Sequence, residues 1–165
     1  MKDKFKDLRI VDNFYQTSAF FPMPLTLIGT LDENGNTSFG AYSLVFPYYI
    51  AGKDFYAMVL ECRNSSNTCK GILRSGKCTI NFLPHSKKNF EEHVRLGFPG
   101  DTPEEKMKNF QFTLEDGLSS KDHLEEKYPK VISEAYQVFE CTWVKELDNA
   151  QDDKIEEEYN GPYHD

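Results

Sequence analysis

PLTLIGTLDENGNTSFGAYSLVF, residues 24–46, is the stretch whose reading decides the fold. Leu25, Leu27, Gly29 and Leu31 alternate with Thr26, Ile28 and Thr30, the period of two that places successive side chains on opposite faces of a strand. Asn34-Gly35 supplies the turn, because glycine takes positive φ without steric cost. Thr37 to Phe46 reads as the returning strand, ended by Pro47. Upstream, residues 1–20 form a polar lead-in with Phe5, Leu8, Ile10 and Val11 as apolar anchors.

Downstream, Phe55 to Leu60 reads as a third strand after a loop with Gly52. The polar loop Arg63-Asn64-Ser65-Ser66-Asn67-Thr68 leads into a short helix, Thr68 to Ser75, closed by Gly76. Lys77 to Leu83 is a strand with Cys78, Ile80 and Phe82 on one face. Residues 86–129 are helix-rich. Thr102-Pro103-Glu104-Glu105 predicts a helix start with Thr as N-cap, Pro at the first turn and Glu closing a capping box. Phe90 and Val94 share a helical face, as do Met107 and Phe110, and Ser119 or Ser120 is placed to cap a last short helix before Pro129. Ala135 to Val144 reads as the final strand, with Phe139, Cys141 and Trp143 facing one way. Early strands joined by tight turns, with helices added later, imply a mainly β protein, an antiparallel sheet or barrel with helices added at one edge. The order excludes a Rossmann reading: there is no βαβ alternation, no GxGxxG and no P-loop.

The chain has 165 residues, enough for one domain that buries about two thirds of its unfolded surface. With 13 Phe and 9 Tyr a genuine core is available, so global disorder is not expected. No apolar run is long enough to span a membrane, and the start MKDKFKDLR does not resemble a signal peptide, which together predict a cytoplasmic protein. Of the net charge of −8, the segment 145–165 holds −6, eight acids against two bases. The reading is a nearly neutral domain over 1–144 and an acidic, flexible tail over 145–165, a balance that excludes a nucleic-acid partner. Cys62, Cys69, Cys78 and Cys141 form no CxxC, and the four His show no ligand spacing, so no metal site is expected and each cysteine is read as a buried free thiol.

No acid/base cluster stands out. Glu91-Glu92 and Glu104-Glu105 are placed on exposed helix faces, His85 on a surface loop and His93 in packing or partly exposed. The segment with chemical content is the loop 63–68 running into its helix. A helix N-terminus carries unpaired N–H groups and partial positive charge, so it can cradle an anion, and Ser65, Ser66, Asn67, Thr68, Arg63 and Lys70 add donors and charge. The same pattern also fits a simple cap by Ser66 or Asn67. Gly40 to Phe46 combines small and apolar residues against which a flat ring can lie, although it also reads as an ordinary strand.

In this order the pieces resemble the flavin-reductase-like family of FMN-binding split barrels, from about Pro22 to Val144. The resemblance rests on PLTLIGTLDENGNTSFGAYSLVF, SSNTCKGILRSGKCTINFL, KMKNFQFTLEDG and YPKVISEAYQVFECTWV. It implies a Greek-key-type split barrel holding FMN, with Ala41, Tyr42, Ser43 and Leu44 along the ring and ribityl chain and Arg63, Ser65, Ser66, Asn67 and Thr68 around the phosphate. It also implies NAD(P)H as reductant, a flavin or other small acceptor, and a homodimer. Two departures stand out: Gly71 replaces an Asn carried by many relatives, and EEEYNGPYHD (156–165) stands where relatives carry a further hairpin and strand. The barrel is therefore expected to close differently, to lack its closing strands, or to take an edge from a partner. The leading expectation is an NAD(P)H-dependent flavin reductase. The others are a non-enzymatic flavin electron carrier, and a split barrel that has lost its flavin and serves as a binding domain.

Overall fold

The structure is a computed structural model that describes residues 23–48 and 57–144. Its centre is a four-stranded antiparallel sheet in the order β2-β1-β5-β8, formed by β1 (Thr26–Leu31), β2 (Thr37–Tyr42), β5 (Lys77–Phe82) and β8 (Gln137–Thr142). The first strand and the Asn34-Gly35 turn form where the sequence predicts them. Gly35 has φ 74°, and the Asp32 carboxylate accepts the N–H groups of Asn34 and Asn36 to close the turn.

The returning strand is shorter than predicted. It breaks after Tyr42 and resumes as β3 (Val45–Tyr48), which pairs with β4 (Ala57–Leu60) as a separate hairpin. Pro47 does not end the strand; it sits opposite Met58 inside this two-stranded ladder, where an edge position tolerates a residue without an N–H. A further ladder of two residues per strand, β6 (Leu114–Glu115) with β7 (Val131–Ile132), was not legible beforehand.

All six β1 residues are buried, although alternation predicts a half-exposed strand. The reason is that both faces are covered. Leu27 and Phe39 pack with Leu83, Leu96, Phe112 and Ile132 beneath the helical insertion, α2 (Lys87–Gly97) and α3 (Pro103–Met107). Phe110 stacks on Phe39 with ring centroids 5.0 Å apart. On the other face Ile28, Val45, Ile72, Cys78 and Ile80 cluster beneath α1 (Asn67–Ser75). Gly71 lets α1 lie close to β1: a Cβ there would stand 2.6 Å from the Thr30 Oγ1 and 3.1 Å from the Leu31 carbonyl. The residue that departs from the family pattern is thus a packing glycine.

Asn81, fully buried in β5, joins three segments. Its Nδ2 donates to the Leu27 carbonyl (3.0 Å) and to Thr79 Oγ1 (3.2 Å), and its Oδ1 accepts the Ile132 N–H (2.9 Å).

The helical region departs from its reading in several places. The capping box at Thr102 and Glu105 is present, but α3 is only five residues long. Helix α4 (Leu118–Asp122) has Gly117 as N-cap, and neither Ser119 nor Ser120 caps it; the Glu140 carboxylate, reaching from β8, accepts the Ser119 N–H. The helix ends at Asp122, well before Pro129. Phe90 and Val94 do share a face, but it is exposed, while Glu92, His93 and Leu96 face inward. Glu92 is 1% exposed rather than solvated, because Arg95 holds it with two hydrogen bonds of 2.8 and 2.6 Å. The Glu92 carboxylate in turn pushes the Arg95 guanidinium up. The four cysteines are free as expected, but only Cys78 is buried. The tail 145–165 and Phe55 lie outside the described residues.

Gly71→Ala is expected to lower stability by about 1–3 kcal/mol, since the added methyl has no space. Urea unfolding of the two proteins checks it. Asn81→Leu keeps the volume but leaves buried partners unpaired, and a loss of about 2–4 kcal/mol is expected in the same measurement.

Candidate functional site

The end of β2 and the start of α1 lie side by side. A Cβ at Gly40 would stand 2.7 Å from the Thr68 hydroxyl and 3.0 Å from the Tyr42 ring. Glycine at 40 therefore lets the first turn of α1 approach the strand. The chain leaving β4 is fastened to the same place: the Glu61 N–H donates to the Leu44 carbonyl at 3.0 Å, just before the loop 63–68 begins. The two segments singled out in the sequence are thus brought together.

Along 41–44, Ala41 packs on the Leu27–Phe39 side and Tyr42 on the Ile28–Ile80 side, both half-buried. Successive strand side chains point apart, so a flat ring over this segment meets the backbone and only alternate side chains. Ser43 and Leu44 are half-buried at the break between β2 and β3. Thr26 Oγ1 donates to the Tyr42 carbonyl at 3.0 Å and steadies that break.

In the loop, Arg63 and Ser65 are exposed, and the Ser66 N–H closes a turn onto the Arg63 carbonyl. Ser66 is the N-cap of α1, its Oγ accepting the Cys69 N–H at 3.1 Å. Asn67 donates from Nδ2 to the Asp101 carbonyl, 2.8 Å away, in the loop before α3. Thr68 is buried against Gly40. Three of the five phosphate-side candidates therefore have internal structural duties. What stays available at the helix start is its backbone: the N–H groups of Asn67 and Thr68 find no acceptor among the described residues, beside the exposed Arg63 and Ser65. This donor set fits a phosphate.

A groove of about 260 Å³ lies against α1, with Asn67, Lys70 and Arg74 on one wall and Asp32, Glu33 and Glu104 opposite, below the ~300 Å³ at which ligand pockets begin. A second groove of about 330 Å³, between Gly35–Thr37 and Glu126–Lys130, contains none of the predicted residues. Among the described residues no group of three or more His, Cys, Asp or Glu is placed to hold a metal ion, and no helix is long and apolar enough to cross a membrane.

Sequence reasoning missed Gly40 and the Leu44–Glu61 bond, whose importance lies in contacts between segments distant in sequence. His93 is in packing, one of its two expected placements: its Nδ1 donates to the Asn89 carbonyl at 2.7 Å while Nε2 is buried with no partner among the described residues.

Ser66→Ala is expected to cost about 1 kcal/mol by removing the helix cap, measured by urea unfolding. Anion binding should persist, since the Ser66 side chain faces its own helix.

No protein-family model and no curated protein matches the chain. Among solved structures it is similar to the NADH:FAD oxidoreductase of Streptomyces globisporus, with a TM-score of 0.63 and 10% identity over 86% of this chain and 75% of that one. It is similar to flavoredoxin from Methanosarcina acetivorans, with a TM-score of 0.61 and 19% identity over 86% of this chain and 66% of the other. A split-barrel protein of the flavin-reductase kind from Shewanella frigidimarina gives a TM-score of 0.60 and 22% identity over 88% of this chain and 68% of its own. This chain thus spans between about two thirds and three quarters of each neighbour's length. At these identities the shared property is the architecture: the chain has the split-barrel fold of the flavin reductases.

Proposed function

We propose that the protein binds FMN and acts as an NAD(P)H-dependent, flavin-reductase-like oxidoreductase, with a flavin or another small molecule as final acceptor. The observation that carries this reading is the meeting of the β2 end with the α1 N-terminus, fastened by the Glu61–Leu44 bond. That meeting occurs on a fold whose solved neighbours include an NADH:FAD oxidoreductase. In this reading the free N–H groups of Asn67 and Thr68, with Ser65 and Arg63, hold the phosphate. The backbone of Ala41 to Leu44 runs beside the ring. Ser66 and Asn67 act by shaping the loop, through their bonds to Cys69 and Asp101. Bound flavin supplies the hydride and electron chemistry, so the protein's task is to bind, orient and leave one ring face open.

The same reading includes a homodimer in which a second copy covers the ring. Phe46, Tyr48 and Val59 on the β3–β4 hairpin flank the segment and are exposed, an apolar rim suited to such cover. A cytoplasmic location and the absence of nucleic-acid and membrane partners belong to the same reading. A second reading, a non-enzymatic FMN electron carrier, is favoured by the likeness to flavoredoxin. The third, a barrel that has lost its flavin, rests on Gly71 and on the departure of 145–165 from the closing strands of relatives; the close approach of Gly71 to Thr30 accounts for the first of these alone.

The test is the visible spectrum of the protein after adding FMN and desalting. Retained flavin bands that bleach anaerobically with NADH or NADPH are expected. Bands that persist without bleaching establish the carrier, and a colourless protein sinks the flavin reading. Arg63→Ala, at an exposed position, should weaken FMN binding about tenfold or more, the loss of one charge-assisted hydrogen bond of about 1.5–3 kcal/mol, with thermal unfolding unchanged. Fluorescence titration of FMN checks it.

A further inference from the structure

The four thiols fall into two neighbouring pairs on the α1 side of the sheet. Cys78 and Cys141 stand directly opposite each other in the β5–β8 ladder. Opposed residues of an antiparallel pair have Cα atoms about 4.5–5.5 Å apart, inside the ~4.4–6.8 Å that a disulfide requires. Their side chains also share a face, since both pack into the cluster of Ile28, Val45, Ile72 and Ile80. We propose that Cys78 and Cys141 are a redox-active dithiol that closes to a cross-strand disulfide when the protein meets a peroxide.

The two thiols have unequal roles. Cys78 is buried in the core, where the neighbouring Cys141 thiol and burial push its own thiol up. Cys141 is half-buried on β8, an edge strand of the sheet among the described residues, and is the more accessible of the two. The thiolate is the nucleophile, and exposure sets which thiol meets an oxidant first. Cys141 is therefore the attacking sulfur. Its thiolate attacks one peroxide oxygen, the O–O bond breaks, and a sulfenic acid forms as hydroxide leaves and takes up the Cys141 proton as water. The Cys78 sulfur then attacks the Cys141 sulfur, the S–O bond breaks, and the second water carries away the Cys78 proton. Two thiols and one hydrogen peroxide give one disulfide and two waters, the two sulfurs losing two electrons to the peroxide. Reduction by an external dithiol reverses the closure.

The second pair competes for the same chemistry. Cys62 and Cys69 bracket the loop 63–68 with their thiols close together, and Cys62 lies close enough to Cys78 for its charge to be felt there. Only Cys78 and Cys141 are held face to face by a strand register, which is why the disulfide is assigned to them.

Trypsin separates all four cysteines, since it cuts after Arg63, Lys70, Lys77, Lys87, Lys130 and Lys145. The full-length folded protein is treated with hydrogen peroxide, its remaining thiols are blocked, and the non-reduced digest is analysed by mass spectrometry. The expected product links peptide 78–87 to peptide 131–145, and dithiothreitol releases it. In Cys78→Ser the resolving sulfur is gone, and Cys141 should accumulate as a sulfenic acid trapped by dimedone. The midpoint of urea unfolding should rise in the oxidised wild type, because the edge strand is tied to the sheet across a long loop. A link between Cys62 and either Cys69 or Cys78 in place of the expected one overturns the proposal. So does recovery of Cys78 and Cys141 as blocked thiols. The wild-type digest needs no variant, so poor folding of Cys78→Ser leaves the test intact. Whether FMN binds has no bearing on its outcome.

Discussion

The carboxamide of Asn81 is the constraint on which the rest of the structure depends. It sits fully buried between β1 and β5 and reaches out to the 131–132 segment, satisfying Leu27 and Ile132 backbone groups and the Thr79 hydroxyl at once. A buried amide without partners is costly, so the register that supplies them is strongly preferred. A slip of one residue would move Asn81 to the opposite face, among Ile28, Val45 and Ile72, where nothing can satisfy it. The same register assigns Thr79 and Asn81 to the side of the helical insertion and Cys78 and Ile80 to the side of α1. Thr79 extends the clasp by donating to the Lys130 carbonyl at 3.2 Å.

Once the faces are assigned, small residues decide how closely α1 approaches. Gly71 permits contact with Thr30, and Gly40 permits contact with Thr68. Together they bring the open end of the helix to the end of β2. The Glu61–Leu44 bond adds the chain leaving β4 to the same place. The site is therefore a product of backbone approach more than of side-chain chemistry. Its donors are main-chain N–H groups and its wall along 41–44 is a strand edge. Among the side chains that looked functional in sequence, Ser66 and Asn67 also hold the geometry, through their bonds to Cys69 and Asp101.

Much of the fold was legible because its signals are local. The turn at Asn34-Gly35 needs positive φ, Gly76 ends α1 at φ 68°, and the capping box joins Thr102 to Glu105 within one turn. What escaped depends on partners distant in sequence. Glu92 reads as a surface acid, and its burial comes from the docking of α2 on the sheet; its Arg95 partner, three residues on, is local. The cap of α4 comes from Glu140 in another element, so the two serines at its start misled. The break at Ser43–Leu44 has no local cause in the sequence; Val45 to Tyr48 leave the sheet to pair with β4. For the candidate site, the two segments were legible separately, and their contact through Gly40 was not.

The thiols and the candidate site share one side of the sheet, and this has a structural consequence. Tyr42 packs into the same cluster as Cys78 and Cys141, together with Met58 and Leu60 of β4. Cys62 follows β4 directly and touches Cys69 in the first turn of α1. The segment from Leu44 to Thr68 is thus anchored at both ends to residues that also contact the β5–β8 pair. Interiors packed at crystal-like density transmit small displacements to their neighbours. A change in how β8 lies on β5 is then felt at Tyr42 and at the start of α1, the two edges between which the proposed flavin would lie. On this face the edge strand and the site are mechanically one unit, and the helical insertion is tied to the same site directly, through the Asn67 bond to the Asp101 carbonyl.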